Sequence, residues 1–219
     1  QAADALLDGR DLLCILPTGA GKSLCWQLPA LMMDELTIVI SPLIILMHDQ
    51  VRHLRERGIP SVHLDSLMTS AERADALNQL TRGQAKIAFL APERLNHPEI
   101  NALCRQHPPA MVVVDEAHCV VQWGDAFRPS YQQIGQFVSS LPRRPVLCAM
   151  TATADKQLQR GIVQSLGLRH PKRIVMPVER PNLHYSVLPT VHVTDAILRA
   201  LQRIPGKAVV FCRLRARTE

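Results

Sequence analysis

The stretch Leu12–Ser23 constrains this chain more than any other. An apolar run (Leu12, Leu13, Cys14, Ile15) leads into Leu16-Pro17-Thr18-Gly19-Ala20-Gly21 and closes on Lys22-Ser23. The residues that follow (Leu24, Trp26, Leu28, Ala30, Leu31) suit a helix. Strand, small-residue turn and helix, in that order, is what a phosphate-binding loop requires. With no side chains at Gly19 and Gly21, backbone N–H groups can turn inward onto phosphate oxygens, aided by the positive end of the next helix. Lys22 would neutralise the β- and γ-phosphates, and the Ser23 hydroxyl would hold Mg²⁺. The strict form of the motif opens on a glycine where this chain has Leu16. Leu16, Pro17, Thr18, Gly19, Ala20, Gly21, Lys22 and Ser23 are therefore the candidate nucleotide site.

Four more apolar runs follow, at 36–40, 86–90, 110–114 and 145–150, with a weaker one at 61–64. They alternate with helix-like segments. Continuous apolarity marks strands buried on both faces, and intervening helices imply parallel crossovers. The expected fold is an α/β open sheet sandwiched by helices, with ligands gathered at the carboxyl ends of its strands. The chemically suggestive residues fall at those ends: Gly19–Ser23, Ser41-Pro42, Ala91–Arg94, Asp115–His118 and Thr151–Thr153. An amphipathic helix is expected from about 154 to Gly167. A passage punctuated by Pro171, Pro177 and Pro181 follows, then a strand-like 183–188, a helix-like 192–204 and a strand-like 208–212. The expected division is 1–177 for a first domain and 178–219 for a linker and the opening of a second. The chain begins at Gln1 inside a helix-like segment and stops at Glu219 just past a strand-like run, so it reads as a fragment.

Composition narrows the partner. A net charge of +6 favours a polyanion without identifying one. No apolar run nears the ~20 residues that span a bilayer, and no secretory leader pattern opens the chain. The six cysteines are scattered without metal-ligand spacing, which favours buried thiols over a zinc site. Arg143-Arg144 reads as a solvated turn.

A second carboxylate site follows the run Val112-Val113-Val114. Asp115 is placed to bind Mg²⁺ opposite Ser23, and Glu116 to polarise a water attacking the γ-phosphate. Acids in the first turn of a helix are the plainer alternative. Further on, Trp123, Phe127 and Tyr131 stand close together in a chain with only 4% aromatic residues. Such rings can stack bases for roughly 1–3 kcal/mol each, with Arg128 on a phosphate or stacked. Core packing at helical spacing is the alternative, which Gly124 and Pro129 oppose.

Leu16–Ser23, Ile40–Leu43, Ala91–Leu95, Asp115–His118 and Met150–Ala154 resemble successive motifs of superfamily 2 helicases. Asp115–Cys119, followed by Gln122–Gly124 and Phe127–Tyr131, resembles more narrowly the RecQ family of DNA helicases. Glu179–Leu183 and Val209–Arg215 resemble that family's passage into its second RecA-like domain. The resemblance implies a RecA-like fold using ATP and Mg²⁺, 3′-to-5′ unwinding of DNA in repair and recombination, and a bacterial cytoplasmic setting. It implies catalytic roles for Lys22, Asp115, Glu116 and His118, the last linked to Thr151–Thr153. It also implies contacts with single-stranded and duplex DNA through Ser41, Pro42, Gln50, Arg94, Trp123, Phe127 and Arg128. Asp125-Ala126 departs from the family's His-Asp before the Phe, which puts coupling between DNA and ATP in doubt. The rest of the second domain, with its arginine finger, and the family's C-terminal regions would lie beyond Glu219. The fragment is therefore expected to bind ATP and DNA without unwinding. A non-catalytic module that keeps the fold is the alternative.

Overall fold

The computed structural model describes residues 1–121, 129–177, 182–203 and 206–211. Compact packing divides the chain into Gln1–Val178 and Glu179–Glu219. The first unit is built on seven strands: β1 (Leu12–Ile15), β2 (Thr37–Ile40), β3 (Ser61–Leu64), β4 (Ile87–Leu90), β5 (Met111–Val114), β6 (Val146–Thr151) and β7 (Lys172–Val175). They form one sheet in the order β3-β4-β2-β5-β6-β1-β7, and every adjacent pair is parallel.

The helices of this unit are α1 (Ala2–Leu7), α2 (Lys22–Met32), α3 (Ile44–Glu56), α4 (Ser70–Thr81), α5 (Pro98–Gln106), α6 (Pro129–Gln132), α7 (Ile134–Ser140) and α8 (Lys156–Leu166). They bury both faces of the sheet. Alternate residues of each strand go to opposite sides, as the two-residue repeat of a strand dictates. Leu13, Ile15, Val112 and Val114 join the core beneath α4, α5, α7 and α8, which contribute Leu80, Leu103, Phe137 and Ile162. Leu12, Cys14, Met111 and Val113 join the core on the side of α1, α2 and α3, with Leu6, Trp26 and Met47. The apolar runs are continuous because neither face meets water.

Two expectations need correction. β7 lies within the passage marked by prolines. It is an edge strand paired only with β1, and its residues alternate between half-buried and exposed. Its half-buried Lys172 and exposed Arg173 interrupt the apolar run that revealed the other strands. Arg143-Arg144 is a solvated turn only at Arg143, which is 57% exposed. Arg144 grips Asp11 with both guanidinium nitrogens, at 3.1 and 2.6 Å, and Arg143 pairs with Glu35 at 2.7 Å. Asp11 also accepts hydrogen bonds from the backbone N–H groups of Leu147 and Arg169, at 3.0 and 2.6 Å. One buried carboxylate thus ties the start of β1 to β6 and to the approach of β7.

The second unit contains α9 (Val193–Arg203), within the expected helix. The strands expected at 183–188 and 208–212 do not form among the described residues, and Val187 and Phe211 are exposed. A strand's N–H and C=O groups need a neighbouring strand, and the β-branched residues of these runs find none.

Replacing Asp11 by Ala strands Arg144 beside the sheet and frees the buried N–H of Leu147 and the partly buried N–H of Arg169, an unpaired-charge penalty of about 3–5 kcal/mol. Urea unfolding should show a lower midpoint with an unchanged slope; an unaltered midpoint would deny Asp11 this role.

Candidate active site

β1 keeps its pairing one residue beyond its end, where the Leu16 N–H donates to Thr151 O at 3.1 Å. Leu16 is buried, and its backbone is not in the left-handed region. This explains why the chain tolerates Leu where the strict motif has Gly. The loop then turns through Gly19 and Gly21, with φ of +83° and +80°. A side chain would strain both positions, and Gly21 leads directly into α2. Lys22 and Ser23 are the first two residues of that helix. The Lys22 ammonium reaches back across its own loop and donates to Leu16 O at 3.1 Å.

Because the sheet is parallel, β5 ends on the same edge as β1. Asp115 and Glu116 therefore arrive at the loop's cavity, which holds about 430 Å³ and is also lined by Gly19, Lys22, Ser23 and Gln50. That volume lies within the range of small-ligand sites. Its donors converge from two motifs far apart in the chain. The cavity wall also holds a buried polar atom, Gln50 Oε1, that has no hydrogen-bond partner. The residues fit a nucleotide's polyphosphate and a hard cation: an ammonium, a helix N-terminus, a hydroxyl and a carboxylate.

Glu116 is held in the left-handed region at φ 48°, ψ 46°, a conformation rare for a residue with a side chain. Its backbone N–H is fixed by Asp115 Oδ1 at 3.0 Å. The buried Tyr131 hydroxyl donates to Asp115 O at 3.0 Å and holds the turn from beneath. His118 Nδ1 lies 3.3 Å from Glu116 Oε2 and 3.0 Å from Thr151 Oγ1. The Thr151 hydroxyl donates to Thr153 O at 3.2 Å, so it accepts from His118. A contiguous path therefore runs from Glu116 through His118 to the Thr151–Thr153 turn.

The electrostatics differ between the neighbours. Burial, reinforced by the negative charge of Glu116, pushes the Asp115 carboxyl up to about 6. The hydrogen bond from His118 holds Glu116 below its ordinary value. The Cys119 thiol and the Glu116 carboxylate hold the His118 imidazole above its ordinary value and favour its charged form.

Several expected residues sit elsewhere than expected. The sequence order places Thr151 and Thr153 as caps of the helix that follows, but Thr151 ends β6 and α8 is capped by Asp155, whose carboxylate accepts from Leu158 N at 2.7 Å. Tyr131 is a core residue, closed to any base. Gln50 faces the cavity beside the glycine turn. Ser41 is buried, with its hydroxyl unpartnered, and Pro42 is half-buried beside it. Arg94 donates through Nε and Nη2 to Asp65 O at 3.1 and 2.6 Å, which anchors the turn after β3. Trp123, Phe127, Arg128 and the Asp125-Ala126 departure lie outside the described residues, as do residues 178–181 and 212–219 of the expected domain passage. Sequence reasoning missed the Tyr131 prop and the placement of Gln50. Leu46, one helical turn before Gln50 on α3, lines the same cavity.

Residues 1–160 match the DEAD/DEAH box helicase family. The chain belongs to that family. Within it, the chain resembles the ATP-dependent DNA helicase RecQ of Synechocystis, 45% identical over 192 residues covering 85% of this chain and 40% of that protein. It also resembles RecQ of Pasteurella multocida, 38% identical across 100% of this chain and 35% of that protein. The chain thus spans well under half the length of these relatives. The helicase domain of Pyrococcus furiosus Hef shares the fold, with a TM-score of 0.60 and 21% identity over 78% of this chain and 36% of that one. Among the described residues no helix is long and apolar enough to cross a membrane.

The raised Asp115 carboxyl has a consequence for stability. Its folded value of about 6 exceeds the ordinary 3.8, so the folded state holds this proton more tightly than the unfolded one. Ionised Asp115 therefore lowers stability above about pH 6, and the loss disappears as pH falls toward 4. Without nucleotide or divalent ion, Asp115→Asn should raise Tm by roughly 4–8 °C near pH 7.5 and by much less near pH 4.5. A drop in Tm near pH 7.5 would contradict the assignment.

Proposed function

We propose that this chain is the nucleotide-binding motor portion of an ATP-dependent DNA helicase of the RecQ kind. The observation that carries the reading is the convergence of Lys22 and Ser23 with Asp115 and Glu116 on one cavity. The N–H groups of Thr18–Ser23 cradle the polyphosphate, and Lys22 exchanges Leu16 O for phosphate oxygens. Ser23 and Asp115 would hold Mg²⁺, which when bound neutralises charge on the phosphates. Glu116, fixed by its turn and kept ionised beside His118, orients a water toward the γ-phosphate and accepts its proton. His118 carries the state of this site to Thr151 and so to the loop after β6.

DNA is the proposed polyanion, in line with the net charge of +6 and with the named relatives. Trp123 and Phe127 would stack bases, and Arg128 would meet a phosphate. Arg94 and Ser41 support the adjoining turns, and Pro42 borders the DNA path. Gln50 acts on the nucleotide side. Unwinding is proposed only for a protein with the additional length of the relatives, whose second RecA-like domain residues 178–219 would begin. Such a motor works in the cytoplasm of a bacterium.

The test is nucleotide binding and single-turnover hydrolysis by the chain. Lys22→Ala should weaken binding of a fluorescent Mg-ATP analogue by about tenfold or more, the loss of one charge-assisted phosphate contact. Glu116→Gln should bind it normally while losing hydrolysis by about a hundredfold or more. If Glu116→Gln changes neither turnover nor nucleotide trapping, the chain is a binding module that has kept the fold, the reading to which Asp125-Ala126 would then belong.

A further inference from the structure

At the carboxyl end of β3, away from the phosphate cavity, three potential metal ligands from separate elements meet. His48 comes from α3, His63 from β3, and Asp65 from the turn that follows. Both imidazoles point at the same carboxylate oxygen: His48 Nε2 lies 2.8 Å and His63 Nδ1 3.0 Å from Asp65 Oδ2. The rings lie against each other with centroids 4.1 Å apart. One ligand atom from each residue lies within 4.8 Å of the others.

We propose that His48, His63 and Asp65 form a binding site for a divalent transition-metal ion of the zinc class. Two imidazoles and one carboxylate are the borderline N/O donor set that such ions take, and three protein ligands leave a position for water. Magnesium and calcium prefer oxygen alone, so this site and the phosphate cavity draw on different ions. The Asp65 side chain is fully buried. Its other oxygen is fixed by Leu67 N at 2.8 Å, and its backbone carbonyl is gripped by Arg94. Such outer contacts orient a first ligand. His48 is 43% exposed and gives the ion a route in. On its far side His63 borders a recess of about 170 Å³ that also carries Glu72 and Asp75, while Arg55 at its rim donates to Ser61 O. The bound ion would fasten α3, which carries Gln50 into the nucleotide cavity, to the turn held by Arg94.

The test uses the nucleotide-free chain, stripped with EDTA and titrated with Co²⁺ alone, then with Zn²⁺. One equivalent of Co²⁺ should develop visible d–d absorption, Zn²⁺ should displace it, and Zn²⁺ should raise Tm. His48→Ala and His63→Ala should each weaken Co²⁺ binding by about tenfold or more, since loss of an outer-shell partner alone costs that much. His48→Ala also removes a hydrogen bond to the buried Asp65 carboxylate, so its metal-free Tm should fall, and its far-ultraviolet circular dichroism should match that of the unaltered chain. His53→Ala, on the same helix, should bind as the unaltered chain does. Undiminished binding by both His48→Ala and His63→Ala, or no binding at micromolar Zn²⁺, would overturn the site and leave the trio as a hydrogen-bonded brace.

Discussion

The parallel direction of all seven strands is the constraint on which the rest depends. Each strand must return to the same starting edge before the next begins, so every crossover is a helix and both faces are covered. Every strand then finishes on the opposite edge. Loops far apart in the chain become neighbours there: the glycine turn after β1, Asp115–His118 after β5 and Thr151–Thr153 after β6. The order β5-β6-β1 sets Thr151 between the two halves of the nucleotide cavity. His118 can therefore reach it from one side while Leu16 pairs with it from the other. At the opposite edge, the buried Asp11 carboxylate holds the beginnings of these strands in step.

The site's chemistry comes from strain and support in balance. A residue with a side chain sits in the left-handed region at Glu116, and such a conformation persists only where its surroundings hold it. Asp115 Oδ1 fixes its N–H, Tyr131 holds the preceding carbonyl, and His118 engages its carboxylate. Two adjacent acids thus acquire different characters. Asp115 is half-buried and raised, suited to a cation that compensates its charge. Glu116 is tied to an imidazole and lowered, and so stays ionised.

The strands were legible where burial on both faces made them apolar without interruption. β7 was hidden because an edge strand that opens on charged Lys172 and Arg173 does not look like a central one. The runs at 183–188 and 208–211 have strand-forming residues, but among the described residues they have no pairing partner, and propensity alone does not make a strand. The Gly19–Ser23 turn and Asp115–Glu116 stood out because each is a short local pattern at the end of an apolar run, and the parallel sheet brings the two to one cavity. The Asp11–Arg144 pair, the Tyr131 prop and the His48–His63–Asp65 trio did not. They join residues whose proximity only the folded sheet creates, and no local spacing marks them.

The central claim, a nucleotide site that answers to DNA, is tested most directly by the rate of ATP hydrolysis with and without single-stranded oligothymidine. The account predicts slow hydrolysis by this chain that rises when DNA is added and disappears in Glu116→Gln. Hydrolysis indifferent to DNA, or ATP binding with no hydrolysis under either condition, would contradict it.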